Sequence, residues 1–139
     1  MKHIEVVAAV ILDQNHRVFC AKRKDDGELA LKWEFPGGKI EENESHQEAL
    51  KREILEELSA TISVDRYLMT VHHTYNSFKL TLHAYLCRVE QGQLTLSEHV
   101  DAQWLDGVSL SNLDWAAADL PVVNYLTEHL GLEGLNETD

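Results

Sequence analysis

The sequence predicts an α/β fold in which a mixed β-sheet is covered by helices on two faces. Three observations carry this. The element order is strands, a helix, strands, a helix. Residues 4–12 (IEVVAAVIL) form a β-rich apolar run long enough for a central strand. Two later segments, residues 45–58 and 121–130, carry helical periodicity with one apolar flank.

The elements follow in order. Asp13-Gln14-Asn15-His16 reads as a turn, and residues 17–23 (RVFCAKR) alternate as the return strand of a hairpin with residues 4–12. Residues 24–32 are polar and read as an exposed loop. Trp33-Glu34-Phe35 is a short strand that ends at Pro36-Gly37-Gly38. A helix runs from about Ser45 to Leu58: Ser45 is an N-cap, and Glu48 completes a capping box three residues later. Leu50, Ile54 and Leu58 form its apolar stripe. Residues 61–73 and 78–89 are strands joined near Tyr75-Asn76-Ser77, Gln91-Gly92-Gln93 is a turn, and residues 102–105 form a short strand. A second helix covers residues 121–130, with Pro121 in its first turn. Residues 1–131 read as one domain, and residues 132–139 as a frayed tail.

The whole chain sets the boundaries of function. Its 139 residues suit one domain with a proper core, and 44% of them are hydrophobic. No apolar run approaches the roughly 18 residues of a membrane span. The N-terminus lacks the layout of a signal peptide, because Glu5 comes early and no cleavage site follows. Cys20 and Cys87 have no metal-ligand spacing and read as core residues in a reducing cytoplasm. A net charge of −12 argues against a nucleic-acid polymer as partner, since polyanion binding needs a basic footprint. A small nucleotide stays open, because cations can neutralise its phosphates. The expected assembly is a monomer or a homodimer.

Chemistry concentrates between Gly38 and Glu57. A glycine-ended loop runs into a helix carrying Arg52-Glu53-Ile54-Leu55-Glu56-Glu57. Glu53, Glu56 and Glu57 are three and four apart, so they share a face, where like charges destabilise a helix. A protein tolerates such a conflict where a site needs it. A hard divalent cation is the simplest compensation, and Mg²⁺ is commonly held by one or two carboxylates together with substrate phosphates.

This stretch resembles the box of the Nudix hydrolases, G-x5-E-x7-R-E-U-x-E-E-x-G-U with U a bulky aliphatic residue. Gly38, Glu44, Arg52, Glu53, Ile54, Glu56 and Glu57 fall on the pattern. The last pair does not: Ser59-Ala60 stands where the box has glycine and an aliphatic residue, which bears on the helix exit rather than on the metal ligands. Trp33-Glu34-Phe35-Pro36-Gly37-Gly38-Lys39-Ile40-Glu41, the flanking strand pairs and Ala118-Asp119-Leu120-Pro121 are similar to the MutT-like nucleoside triphosphate pyrophosphohydrolases. The resemblance covers about residues 4–130.

The resemblance implies the Nudix fold, an α/β/α sandwich with the box as a loop-helix-loop. It implies cytoplasmic, Mg²⁺-dependent hydrolysis of nucleoside triphosphates to monophosphate and pyrophosphate, with Mn²⁺ as the alternative ion. The substrate would be 8-oxo-dGTP, in nucleotide-pool sanitising, or a modified cytosine triphosphate. Glu53, Glu56, Glu57, the Gly37-Gly38 backbone and Glu98 match the metal shell. Glu53 matches the general base, with Glu98 as its rival, and Arg52 orients a glutamate. Gly38, Glu44 and Ile54 match structural box positions. Arg23 and Lys39 look like phosphate-facing cations; their plain alternatives are a solvated strand end and a pair with Glu41 or Glu42. Phe35, Tyr75, Phe78 and Asp119 match the base pocket, where aromatics offer stacking faces. Asp119 would otherwise cap the helix that starts beside Pro121. If ionised in the pocket, it can only accept hydrogen bonds, which suits the exocyclic amine of cytosine; if protonated, it suits an oxidised purine.

The histidines of the His72-His73 pair point to opposite faces of a strand and are not a ligand pair. The absence of a His-x-x-x-His pair argues against zinc. Rival readings are hydrolysis of a nucleotide sugar or dinucleoside polyphosphate, and a non-catalytic nucleotide-sensing module of the same fold.

Overall fold

The first strand, β1 (Lys2–Ile11), sets the layers. Alternate residues of a strand point to opposite faces. Val7, Ala9 and Ile11 join one buried cluster with Leu50, Ile54 and Leu58, while Ala8 and Val10 join another with Val122, Val123 and Leu126. Both faces of β1 are therefore covered, which is why the run is apolar without alternation. The structure is a computed structural model, and it describes residues 1–130; the tail expected over residues 132–139 lies outside the described residues.

The remaining elements are β2 (Val18–Lys22), β3 (Trp33–Glu34), β4 (Gly37–Lys39), α1 (His46–Leu58), β5 (Thr61–Thr74), β6 (Phe78–Gln91), β7 (Asp101–Leu105) and α2 (Leu120–Leu130). One sheet has the order β4-β1-β6-β5, with β1 and β6 parallel and the other pairs antiparallel. A second, smaller sheet has the order β3-β2-β7. With α1 on one face of the mixed sheet and α2 on the other, the architecture is the α/β/α sandwich.

The structure corrects the hairpin expected between the first two strands. Asp13 closes the turn, its Oδ1 accepting from the Asn15 and Arg17 backbone N–H groups. Beyond one bridge, Leu12 to Val18, the strands part, and β2 pairs with β3 and β7. Both hydrogen-bonding edges of β1 are already occupied, by β4 and β6. The Gly37-Gly38 segment, expected as a strand end, forms β4. A Cβ on Gly37 would overlap the Val7 carbonyl oxygen, so only glycine lets the two backbones come this close.

Helix α1 starts as its sequence dictates. Ser45 Oγ accepts from Glu48 N–H at 3.1 Å, and the Glu48 carboxylate accepts from Ser45 N–H at 2.9 Å. Its stripe of Leu50, Ile54 and Leu58 is fully buried, each worth about 1.5–3 kcal/mol relative to exposure. At its exit Ser59 adopts φ +58°, the left-handed cap, and its N–H donates to Leu55 O. Serine thus takes the conformation that the box assigns to glycine. Cys20 and Cys87 are buried free thiols. Among the described residues no helix is long and apolar enough to cross a membrane.

Candidate active site

A cavity of about 680 Å³ opens beside the meeting point of β4, α1 and the loop before β7. One end is acidic. Glu53 and Glu57 reach it from the last two turns of α1, Glu98 from the loop, and Glu34 from β3. The helix places these acids against its own dipole, because its last turn holds no basic residue and carboxylates are disfavoured at a helix C-terminus.

Arg52 organises this end. Its Nε and Nη2 grip both oxygens of Glu44, at 2.6 and 2.9 Å, a fork that holds Glu44 down at about 2. Its Nη1 donates to Glu53 at 2.8 Å and reaches Glu56 at 3.4 Å, while Nη2 also holds the Lys39 carbonyl at 3.0 Å. The hydrogen bond to Glu44, and after it the bond to Glu53 and the charges of Glu53 and Glu41, hold the guanidinium above its ordinary pKa. Glu53 is therefore fixed from behind, and Gly38 leaves room for it in front: a Cβ at residue 38 would overlap the Glu53 carboxylate.

Glu57 bears the strain of this crowding. Burial raises it most, followed by its hydrogen bond to Glu53 and the charges of Glu53, Glu34 and Glu98, which together push it up to about 8. A cation placed among these carboxylates would relieve the crowding that raises Glu57. The donor set is all hard oxygen, and it suits Mg²⁺ rather than a soft metal. Among the described residues, no group of three or more His, Cys, Asp or Glu side chains already stands in metal-holding array. Glu56 is exposed and lies off the cavity wall.

The lining is also aromatic. Tyr75 and Phe78 lie ring to ring at 5.0 Å, and Phe35, buried, packs on Trp115 at 4.7 Å. The Tyr75 hydroxyl oxygen accepts from Ala118 N–H at 2.8 Å, which seats the ring. Asp119 is only 4% exposed. Its side chain does not cap α2; Oδ1 accepts from Phe35 N–H at 3.1 Å, across 84 positions of sequence. Burial, with the charge of Glu34 behind it, holds the carboxyl well above its ordinary range.

Two cations line the same cavity. Lys39 is exposed on the cavity wall. Arg23 also lines the cavity, where its Nη1 donates to Glu34 Oε1 at 3.0 Å. The paired histidines are separate, as their strand placement requires: His72 bonds Thr81, while His73 packs edge-on to Tyr75.

Several residues were not legible as site residues. Glu34 bridges Arg23 and His99, yet in sequence it is one acid in a short strand. Glu28 reaches the β5–β6 turn, accepting from the N–H groups of Asn76 and Ser77 and from the Ser77 hydroxyl. No local pattern announces either.

Known proteins resemble this chain throughout its described part. The sequence matches the NUDIX domain family over residues 7–125. It is 34% identical over 123 residues to the CTP pyrophosphohydrolase of Escherichia coli (strain K12), covering 88% of this chain and 90% of that protein. It is 36% identical over 94 residues to the 8-oxo-dGTP diphosphatase of Proteus vulgaris, covering 68% and 84%. The solution NMR structure of the DNA mismatch repair protein MutT (family Nudix hydrolase) from methicillin-resistant Staphylococcus aureus 252 matches with a TM-score of 0.74 at 40% identity, over 92% of this chain and 98% of that one. The chain therefore belongs to the NUDIX domain family and is a Nudix hydrolase.

Proposed function

We propose that this protein hydrolyses nucleoside triphosphates to the monophosphate and pyrophosphate in a Mg²⁺-dependent reaction, and that its preferred substrate is an oxidised purine triphosphate such as 8-oxo-dGTP. The carrying observation is one cavity with two unlike linings: the crowded carboxylates of Glu53, Glu57 and Glu98, and buried Asp119 with the aromatic rings of Phe35, Tyr75 and Phe78. The proposed domain spans residues 1–131.

In this reading Glu53, Glu57, Glu98 and the Gly37-Gly38 backbone hold the metal, and Glu56 completes the shell by turning in from outside the cavity wall; the metal when bound lowers the pKa of water and neutralises phosphate charge. Glu53 accepts the proton of the attacking water. Arg52 keeps the Glu53 carboxylate aimed, with Glu44 as its anchor. Lys39 and Arg23 face the phosphates and stabilise the charge that develops in transfer. Tyr75 and Phe78 stack on the base, and Phe35 backs the pocket through Trp115. Asp119, its carboxyl kept protonated by burial, both donates to and accepts from the base.

A second reading is a cytosine-type triphosphate, supported by the likeness to the CTP pyrophosphohydrolase. There Asp119 ionises and accepts from the exocyclic amine. The test is kcat/KM with Mg²⁺ for 8-oxo-dGTP, dGTP, CTP, dCTP and 5-methyl-dCTP, with ADP-ribose and a dinucleoside polyphosphate as controls. Preference for 8-oxo-dGTP is expected, and Asp119→Asn should keep it, since an amide also donates and accepts. Preference for the cytosine nucleotides, lost in Asp119→Asn, would establish the second reading.

A further inference from the structure

The loop that carries Glu98 is tied down on both sides of that residue. The last carbonyls of an α-helix have no partner within the helix and must find one elsewhere. Two of those in α1 find it in this loop: Thr95 N–H donates to Leu58 O at 2.8 Å, and Ser97 Oγ donates to Glu57 O at 2.7 Å. The Ser97 hydroxyl thus joins the backbone of Glu57 to the residue preceding Glu98. On the far side, His99 Nε2 bonds Glu34 Oε2 at 2.8 Å, and Val100 N–H donates to Lys22 O at 3.0 Å.

The histidine is an anchor, not a surface group. Its side chain is only 6% exposed. A carboxylate accepts, so Nε2 carries a hydrogen toward Glu34, while Nδ1 is buried without a partner among the described residues. The single bond to Glu34 therefore sets the ring's orientation. Glu34 is held in turn by Arg23 at 3.0 Å. Glu98 itself is exposed and makes its way to the cavity wall from between two fixed neighbours.

We infer that Ser97 and His99 are positioning residues that hold Glu98 within reach of the cation bound by Glu53 and Glu57. This rests on the proposed metal role of Glu98. A loop acid on a free tether would have to be ordered each time the metal binds, and that ordering has an entropic cost. Here the cost is met in folding, by the helix's own unpaired carbonyls and the cavity floor. Groups that orient a ligand from behind typically change metal affinity about 10- to 100-fold when removed.

The test is Mn²⁺ binding to the full chain without nucleotide, read by electron paramagnetic resonance of the free ion, with melting temperature beside it. The double variant Ser97→Ala/His99→Ala should weaken Mn²⁺ binding about tenfold, and each single variant less. Ser97→Thr and His99→Gln keep a donor and should restore most of the loss. Glu98→Gln should weaken binding at least as much, and in that background removing Ser97 and His99 should add nothing. The inference is overturned if the double variant, still folded, binds Mn²⁺ like the parent. It is also overturned if the loss is the same with Glu98→Gln present, which would make the anchors structural only. A Glu98→Gln protein that binds normally would remove Glu98 from the metal shell and the inference with it, while leaving Glu53 and Glu57 untouched.

Discussion

Gly38 and Glu53 compete for one volume: any side chain at residue 38 would occupy the space that the Glu53 carboxylate fills. The glycine is thus a condition of the glutamate's position. Gly38→Ala is expected to cut turnover about 100-fold by displacing Glu53, with little change in melting temperature, because the displaced group is the far end of a side chain. Gly37→Ala meets backbone instead, at Val7, and is expected to lower stability outright. Steady-state kinetics and thermal melts of both variants check this pair of outcomes.

Arg52 hydrogen-bonds three carboxylates and a carbonyl with one planar fork, and its Nη1 lies 3.6 Å from a fourth carboxylate, on Glu41. A lysine cannot reproduce the bidentate grip on Glu44 while also holding Glu53. Arg52→Lys should therefore lose about 10- to 100-fold in kcat, with a smaller change in KM. A variant with normal kcat would show that Glu53 holds its position unaided.

In its proposed role as a metal ligand, Glu57 would link metal binding to protons. Its pKa in the folded protein, about 8, lies above the ordinary 4.5. Its favourable contribution is therefore complete below pH 4.5 and is lost as pH rises through about 8. A cation that replaces the proton restores it. Adding Mg²⁺ at neutral pH to weakly buffered protein should release about one proton per chain, and the gain in melting temperature should be larger at alkaline than at acid pH. Glu57→Gln should abolish the release; a silent indicator with the parent protein would contradict a raised Glu57 that gives up its proton to the metal.

Ser59 holds a left-handed conformation, φ +58°, that favours glycine. Its side chain is exposed and makes no cap bond. Ser59→Gly should stabilise the protein by about 1 kcal/mol, read as a higher denaturation midpoint in urea with unchanged slope. A destabilised variant would mean that the serine makes a contribution beyond its backbone.

What was legible in the sequence was local. Helix α1 was readable because Ser45 and Glu48 close its start and Leu50, Ile54 and Leu58 mark its face within 14 residues. The strands β5 and β6 were readable from composition and the turn between them. Strand β4 was not, because two glycines carry no strand signal; they pair with β1 only because the backbones approach closely there. The assumed β1–β2 hairpin failed for a related reason: adjacency suggested a pairing that the more distant β6 had taken. The box acids could be placed on one helix, but their environment could not. Asp119 could be read either as a pocket acid or as a cap beside Pro121, because its partner, Phe35, is a neighbour only in space. The Glu34–His99 and Glu57–Ser97 bonds are likewise made by the fold alone.

The most direct measurement is product analysis of one reaction. Purified protein would be incubated with 8-oxo-dGTP or CTP, with Mg²⁺ and with chelator, and the phosphorus species read by nuclear magnetic resonance. The account predicts nucleoside monophosphate and pyrophosphate with Mg²⁺, none with chelator, and a loss of orders of magnitude in Glu53→Gln that remains folded. Diphosphate and inorganic phosphate as products, or no turnover of either triphosphate alongside turnover of ADP-ribose, would contradict it.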